Sequence, residues 1–142
     1  MADVTVVDTA VSPTANTVQE VLTAGDTITA GQPVYKDLAA AGVVKRADAD
    51  TAVTAVCYGI ALCNASSLQP IVVARSGDID FNNAGVGAGP FAVGETYVVS
   101  TLTGRIAPES DLGSGDFVTI LGVAAAADIL ALKIQNSGTA KA

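Results

Sequence analysis

The sequence predicts an all-β protein: a compact β-barrel or β-sandwich-like body built from two similar β units, with an extended amino-terminal arm. Three observations carry this. Runs of Val, Ile and Thr are punctuated by Gly, Pro, Asn and Asp, the pattern of strands and turns. Half of the 142 residues are hydrophobic, but much of that half is Ala and Val, and Trp is absent. The chain also repeats itself in four blocks. Ala30-Gly31-Gln32-Pro33-Val34-Tyr35-Lys36 is answered by Val93-Gly94-Glu95-Thr96-Tyr97-Val98-Val99, and Gly42-Val43-Val44 by Gly104-Arg105-Ile106. Thr54-Ala55-Val56-Cys57-Tyr58-Gly59-Ile60-Ala61 is answered by Phe117-Val118-Thr119-Ile120-Leu121-Gly122-Val123-Ala124. Ile71-Val72-Val73-Ala74-Arg75-Ser76-Gly77 is answered by Leu132-Lys133-Ile134-Gln135-Asn136-Ser137-Gly138, and the offset stays between 61 and 63 residues throughout.

Taken in chain order, strands are expected at 4–7, 18–22, 33–35, 53–62, 71–74, 96–100, 117–123 and 129–134, where β-branched and aromatic residues cluster. Residues 36–41 are expected to form a helical turn. Residues 125–128, rich in Ala, carry a helical composition. Their counterpart in the first unit holds Asn64, Ser66, Ser67 and Pro70, so they are read as a tight connection between strands. Residues 1–20 lie outside the repeat and read as an arm, with a breaker-rich joint at Ser12-Pro13-Thr14-Ala15-Asn16-Thr17. Residues 21–142 then form a single β domain, with halves 21–84 and 90–138 joined by the Gly-rich 85–89.

The core expected from these residues is made of small side chains. Large anchors are few: Phe81, Phe91, Phe117, Tyr35, Tyr58 and Tyr97. Such a core buries less area per residue, so self-association is expected to supply further burial. A net charge of −7 and a pI near 4.2 disfavour nucleic-acid binding, which needs clustered Lys and Arg. The one basic cluster, Lys36 with Lys45-Arg46, is interrupted by Asp37 and followed by Asp48 and Asp50. No apolar run reaches the ~18 residues that span a bilayer, so no membrane partner is expected. The start, Met1-Ala2-Asp3-Val4-Thr5, lacks the basic and apolar segments of a signal peptide, which points to synthesis in a cytoplasm. The sequon Asn64-Ala65-Ser66 is accordingly read as coincidence. Cys57 and Cys63, six apart on an extended segment, would lie about 20 Å from each other and are read as small buried thiols rather than a disulfide.

No catalytic, cofactor-binding or metal-binding residue is assigned, and no enzyme activity or cofactor is expected. The chain has no His, which removes His-dependent nucleophile systems and disfavours zinc. The carboxylate pairs Asp48/Asp50, Asp78/Asp80 and Glu109/Asp111 are read as solvated turn formers, since no perturbing partner can be named. Asp78-Ile79-Asp80-Phe81-Asn82 begins like a calcium loop but has Asn83 where Gly is required and Gly89 where Glu is required. Gly85-Val86-Gly87-Ala88-Gly89-Pro90 lacks the following helix of a phosphate loop and reads as the connection between halves. Ala24-Gly25-Asp26-Thr27-Ile28-Thr29-Ala30-Gly31-Gln32-Pro33-Val34 resembles half of a biotinyl or lipoyl carrier barrel. The modifiable hairpin Lys of such carriers is missing, so the resemblance supports a small β-barrel and not the carrier activity.

Three further runs, in this order, carry a family resemblance. They are Gly89-Pro90-Phe91-Ala92-Val93-Gly94-Glu95-Thr96-Tyr97-Val98-Val99-Ser100, then Gly104-Arg105-Ile106-Ala107-Pro108, then Gly115-Asp116-Phe117-Val118-Thr119-Ile120-Leu121-Gly122-Val123-Ala124. With residues 24–35 and the ending Ile134-Gln135-Asn136-Ser137-Gly138, they resemble the capsid decoration (cement, or head-stabilising) proteins of tailed bacteriophages, over roughly residues 20–142. The resemblance implies a structural virion protein on the outer surface of an expanded capsid, made in the host cytoplasm. It implies a homotrimer that contacts the major capsid protein and bridges neighbouring capsomers. The alternative from another class is a non-catalytic β-barrel binding module of fibre-base or carbohydrate-binding type, which an exposed aromatic cluster would favour.

Overall fold

The computed structural model describes residues 3, 4, 6, 8–81 and 90–142. Among the described residues ten strands follow one another: β1 (Ser12–Pro13), β2 (Val18–Thr23), β3 (Pro33–Asp37), β4 (Val43–Arg46), β5 (Gly59–Ala61), β6 (Pro70–Asp80), β7 (Thr96–Val99), β8 (Ile106–Pro108), β9 (Phe117–Ala124) and β10 (Ile129–Ala140). Their pairings are antiparallel, and the sheet curls into a half-barrel. Short 3-10 turns at Asp8–Ala10, Leu38–Ala40 and Glu109–Asp111 complete the regular structure among the described residues. The all-β expectation therefore holds.

The strand order is β4-β3-β5-β6-β10-β9-β7-β8, which reads the same from either end once the halves are matched. Registers repeat with it. Val34 faces Gly59 as Tyr97 faces Gly122, and Lys36 faces Val44 as Val99 faces Ile106. The same turn chemistry recurs between the matched hairpin strands. Asp37 Oδ1 accepts the Ala39 N–H at 3.1 Å, and Ser100 Oγ accepts the Leu102 N–H at 3.1 Å. Gly42 and Gly104 then return the chain with φ of +76° and +74°, a region that favours glycine. The fourth block matches only at its end, where Gly77 and Gly138 both have positive φ. At its start, ladder pairing makes Ala74 equivalent to Ala131 and not to Gln135. Register shifts in β10 absorb the difference.

Several expected elements are corrected. Strand 53–62 shrinks to Gly59–Ala61, because Thr51, Thr54 and Asp48 bond one another and the local backbone, holding turns in place of a ladder. Strands 71–74 and 129–134 run on to Asp80 and Ala140 through the positive-φ glycines. In the 4–7 segment, Val4 and Val6 lie outside any strand. The joint at 12–17 is anchored: Thr14 and Thr17 hydroxyls donate to the Asp78 carbonyl at 2.9 and 2.5 Å, and Asn16 Oδ1 accepts the Asp78 N–H at 2.9 Å. The helical turn near 38–40 and the tight connection at 125–128 form as expected. The connection 85–89 lies outside the described residues.

The main core joins both halves. Ile79 and Leu130 face each other across the β6–β10 seam and are fully buried. Phe81, Phe91 and Tyr97 form a chain of edge-on contacts with centroids 4.8 and 4.9 Å apart. A satellite cluster under each half flanks this core, one around Ile28, Val34, Val44 and Ile71, the other around Val98 and Leu112. Ala and Val supply much of the lining, as the composition requires.

Candidate interaction surface

The basic cluster is neutralised by cross-strand partners. Lys45 Nζ lies 2.9 Å from Asp37, and Arg46 Nε donates to Asp26 at 2.9 Å. Lys36 sits 5.1 Å from the centre of the Tyr58 ring, whose other cationic neighbour, Arg75, lies at 3.7 Å. The Tyr58 hydroxyl donates to Glu20 at 3.0 Å, and Arg75 donates to the same carboxylate at 3.0 Å. The Tyr58 hydroxyl above all, with Arg75 adding to it, holds the Glu20 carboxyl below its usual range against the opposing effect of burial. Lys45 does the same for Asp37. These groups are solvated, so each ion pair contributes little stability on its own.

The carboxylate pairs lie in three different settings. Asp48 accepts from the Asp50 N–H at 3.1 Å and the Thr54 hydroxyl at 2.7 Å, the turn-forming role expected of it. Asp78 and Asp80 lie on β6 rather than in a loop, so the calcium-like run starts in a strand. Glu109 and Asp111 lie in a 3-10 turn. Among the described residues no group of three His, Cys, Asp or Glu side chains could hold a metal ion. Cys57 and Cys63 are free. Cys57 is buried, whereas Cys63 is only half-buried, a correction to the expectation that both would be inside. Asn64 is used locally: its Oδ1 accepts the Ala30 N–H and its Nδ2 donates to Asp8, both at 2.8 Å.

The large apolar side chains left exposed are aliphatic. Nine large apolar side chains are exposed among the described residues: Val18, Val21, Leu38, Val53, Val56, Leu68, Val93, Leu102 and Val123. The most exposed, Leu38, stands 82% open at the tip of the β3–β4 hairpin, beside exposed Ala39 and Ala41. Its counterpart in the repeat, the β7–β8 tip, carries Leu102 at 55%. Both tips are held by the same side-chain cap, so an exposed leucine is presented on a fixed turn in each half. None of the six aromatic side chains is exposed. The sequence signal for this surface was the apolar tip Leu38-Ala39-Ala40-Ala41, which the expected helical turn covered without marking it as exposed.

Comparison of the chain with protein-family models, with curated proteins and with solved structures finds no match.

Proposed function

We propose that this chain is a structural virion protein that binds the outer surface of an expanded phage capsid. In this reading it acts as a homotrimer, contacts the major capsid protein and stabilises the shell by bridging neighbouring capsomers. The observation that carries the reading is the set of aliphatic side chains held outward on a doubled, curled sheet, with Leu38 and Leu102 on matched, capped tips. Apolar groups displayed on fixed turns dock with little ordering cost. Many copies on a lattice add modest contacts into firm attachment, so no deep pocket is required. Three copies in a ring close a heterologous interface on itself. A net charge of −7 suits the outside of a shell better than contact with the genome. Phe81, Phe91 and Tyr97 serve the core, Tyr58 joins the Glu20–Arg75 cluster, and no aromatic side chain is exposed, which gives the carbohydrate-binding alternative no support.

Light scattering on the purified protein, followed by cosedimentation with expanded and unexpanded shells, tests the proposal. A trimer that sediments with expanded shells alone is expected. A stable monomer that ignores both shells overturns it.

A further inference from the structure

The repeat lets each half be set against the other, residue by residue. Pro33 faces Ile60 as Thr96 faces Val123. The Gly31 N–H donates to the Ala61 carbonyl at 2.8 Å, as the Gly94 N–H donates to the Ala124 carbonyl at 2.9 Å. Ile60 and Val123 are therefore counterparts, and so are Ala30 and Val93, each one residue before its glycine. Their surroundings differ. Ile60 and Ala30 are 0% and 4% exposed, in the same core cluster as Tyr97, Ile106 and Ala124 of the second half. Val123 and Val93 stand 44% and 69% open. A Cβ at Gly31 would run into Val6 and Val11, whereas one at Gly94 would meet nothing within 4 Å.

The halves thus stack front to back. Ile60 and Ala61 are neighbours on β5 and point to opposite faces. Tyr97, Ile106 and Ala124, which share the cluster of Ile60, match Val34, Val44 and Ala61 of the first half. There the same face is already closed within the chain, fully buried with Ala24, Ile28 and Ile71. The stack has one sealed end and one open end. The open end is aliphatic, where a unit that finishes a stack needs a polar outer face.

We infer that the face carrying Val93 and Val123 is covered by a second copy of this chain, the open ends of neighbouring copies turning toward one another around the axis of the assembly. The interface between the halves shows what this face takes, namely a unit of the same repeat. Among the described residues no further unit remains in the chain, and the sealed end of another copy has no face to give, so like meets like. Rotational symmetry brings identical patches together near its axis. Covering the two valines there removes apolar area from water in every copy. The inference rests on the proposed homotrimer and names the face that holds it.

The test places single thiols on the full chain with Cys63→Ser, while Cys57 stays buried. Val93→Cys and Val123→Cys are each treated with a short bis-maleimide, beside a Val53→Cys control of similar exposure in the first half. Covalently linked chains are expected at least tenfold above that control. By light scattering, Val93→Asp is expected to reduce the assembly to monomers and Val53→Asp to leave it whole. No linked product above control from either thiol overturns the inference, as does an assembly that Val93→Asp leaves intact. If light scattering on the wild-type chain shows a trimer in those cases, the proposed function stands and only this face falls. A wild-type monomer overturns the inference together with the homotrimer.

Discussion

Cys57 and Cys63 lie six residues apart and meet different surroundings. Burial pushes the Cys57 thiol up from its ordinary 9.0 to about 12. Between those values the unfolded chain gives up a proton that the folded chain keeps, so stability falls as pH rises above 9.0. The slope from this group is about 1.4 kcal/mol per pH unit, and denaturant titrations at pH 8, 9 and 10 will show it. At neutral pH a thiol reagent is expected to modify Cys63 first and Cys57 only on unfolding. The lowered Glu20 and Asp37 carboxyls act in the other direction: their contribution is full above ordinary values of 4.5 and 3.8 and is lost as pH falls through the lowered ones. Gly59 and Gly122 carry the repeat at atomic scale. A Cβ at either would run into a neighbouring carbonyl oxygen, that of Ala74 or of Ala131. Gly59→Ala and Gly122→Ala are each expected to cost about 1–3 kcal/mol in chemical denaturation, the range for overpacking a tight site. The sequence shows both glycines at matching positions in an apolar run, but not the carbonyls that exclude a side chain, because those belong to strands far along the chain.

At the scale of elements, the segment 47–57 ties the halves together. The Ala49 N–H donates to the Ser100 carbonyl and the Phe117 N–H to the Ala49 carbonyl, both at 2.9 Å. Asn136 grips Cys57 by both backbone groups, accepting its N–H at 2.9 Å and donating to its carbonyl at 3.2 Å. The Thr119 hydroxyl donates to the Ala55 carbonyl. Asn136→Ala strands two backbone groups of a buried residue and is expected to cost about 1–3 kcal/mol in a melt or denaturant titration. Asn136→Asp, which keeps an acceptor and loses the donor, is expected to fall between. This clasp explains where reading the sequence failed. Residues 53–56 look like strand by composition, but Asp48, Thr51 and Thr54 bond each other, and Asn136 and Thr119 take up the backbone groups a ladder would have used. The short β4 and β8 also escaped composition, since four and three residues give too little pattern. The expected strands 71–74 and 129–134 stop short of β6 and β10, which continue through the positive-φ Gly77 and Gly138.

For the molecule as a whole, the repeat was the legible part. It predicted two matched halves, and the strand order meets that prediction with β6 and β10 side by side. The seam between them should govern global stability. Ile79→Ala and Leu130→Ala each remove a fully buried partner from one facing pair. Each is expected to cost about 2–5 kcal/mol, and the double variant less than the sum, since the two share a contact. The interaction surface was less legible. Exposure of Leu38 and Leu102 depends on how each hairpin tip is capped and placed, which single-chain patterning does not carry. The central claim is that this surface is spent on a shell, holding expanded capsomers together. The most direct measurement is the temperature at which expanded shells rupture, with and without saturating protein. The account predicts a clear rise, and a smaller one when Leu38→Asp replaces the wild-type chain. An unchanged rupture temperature at saturation would contradict it.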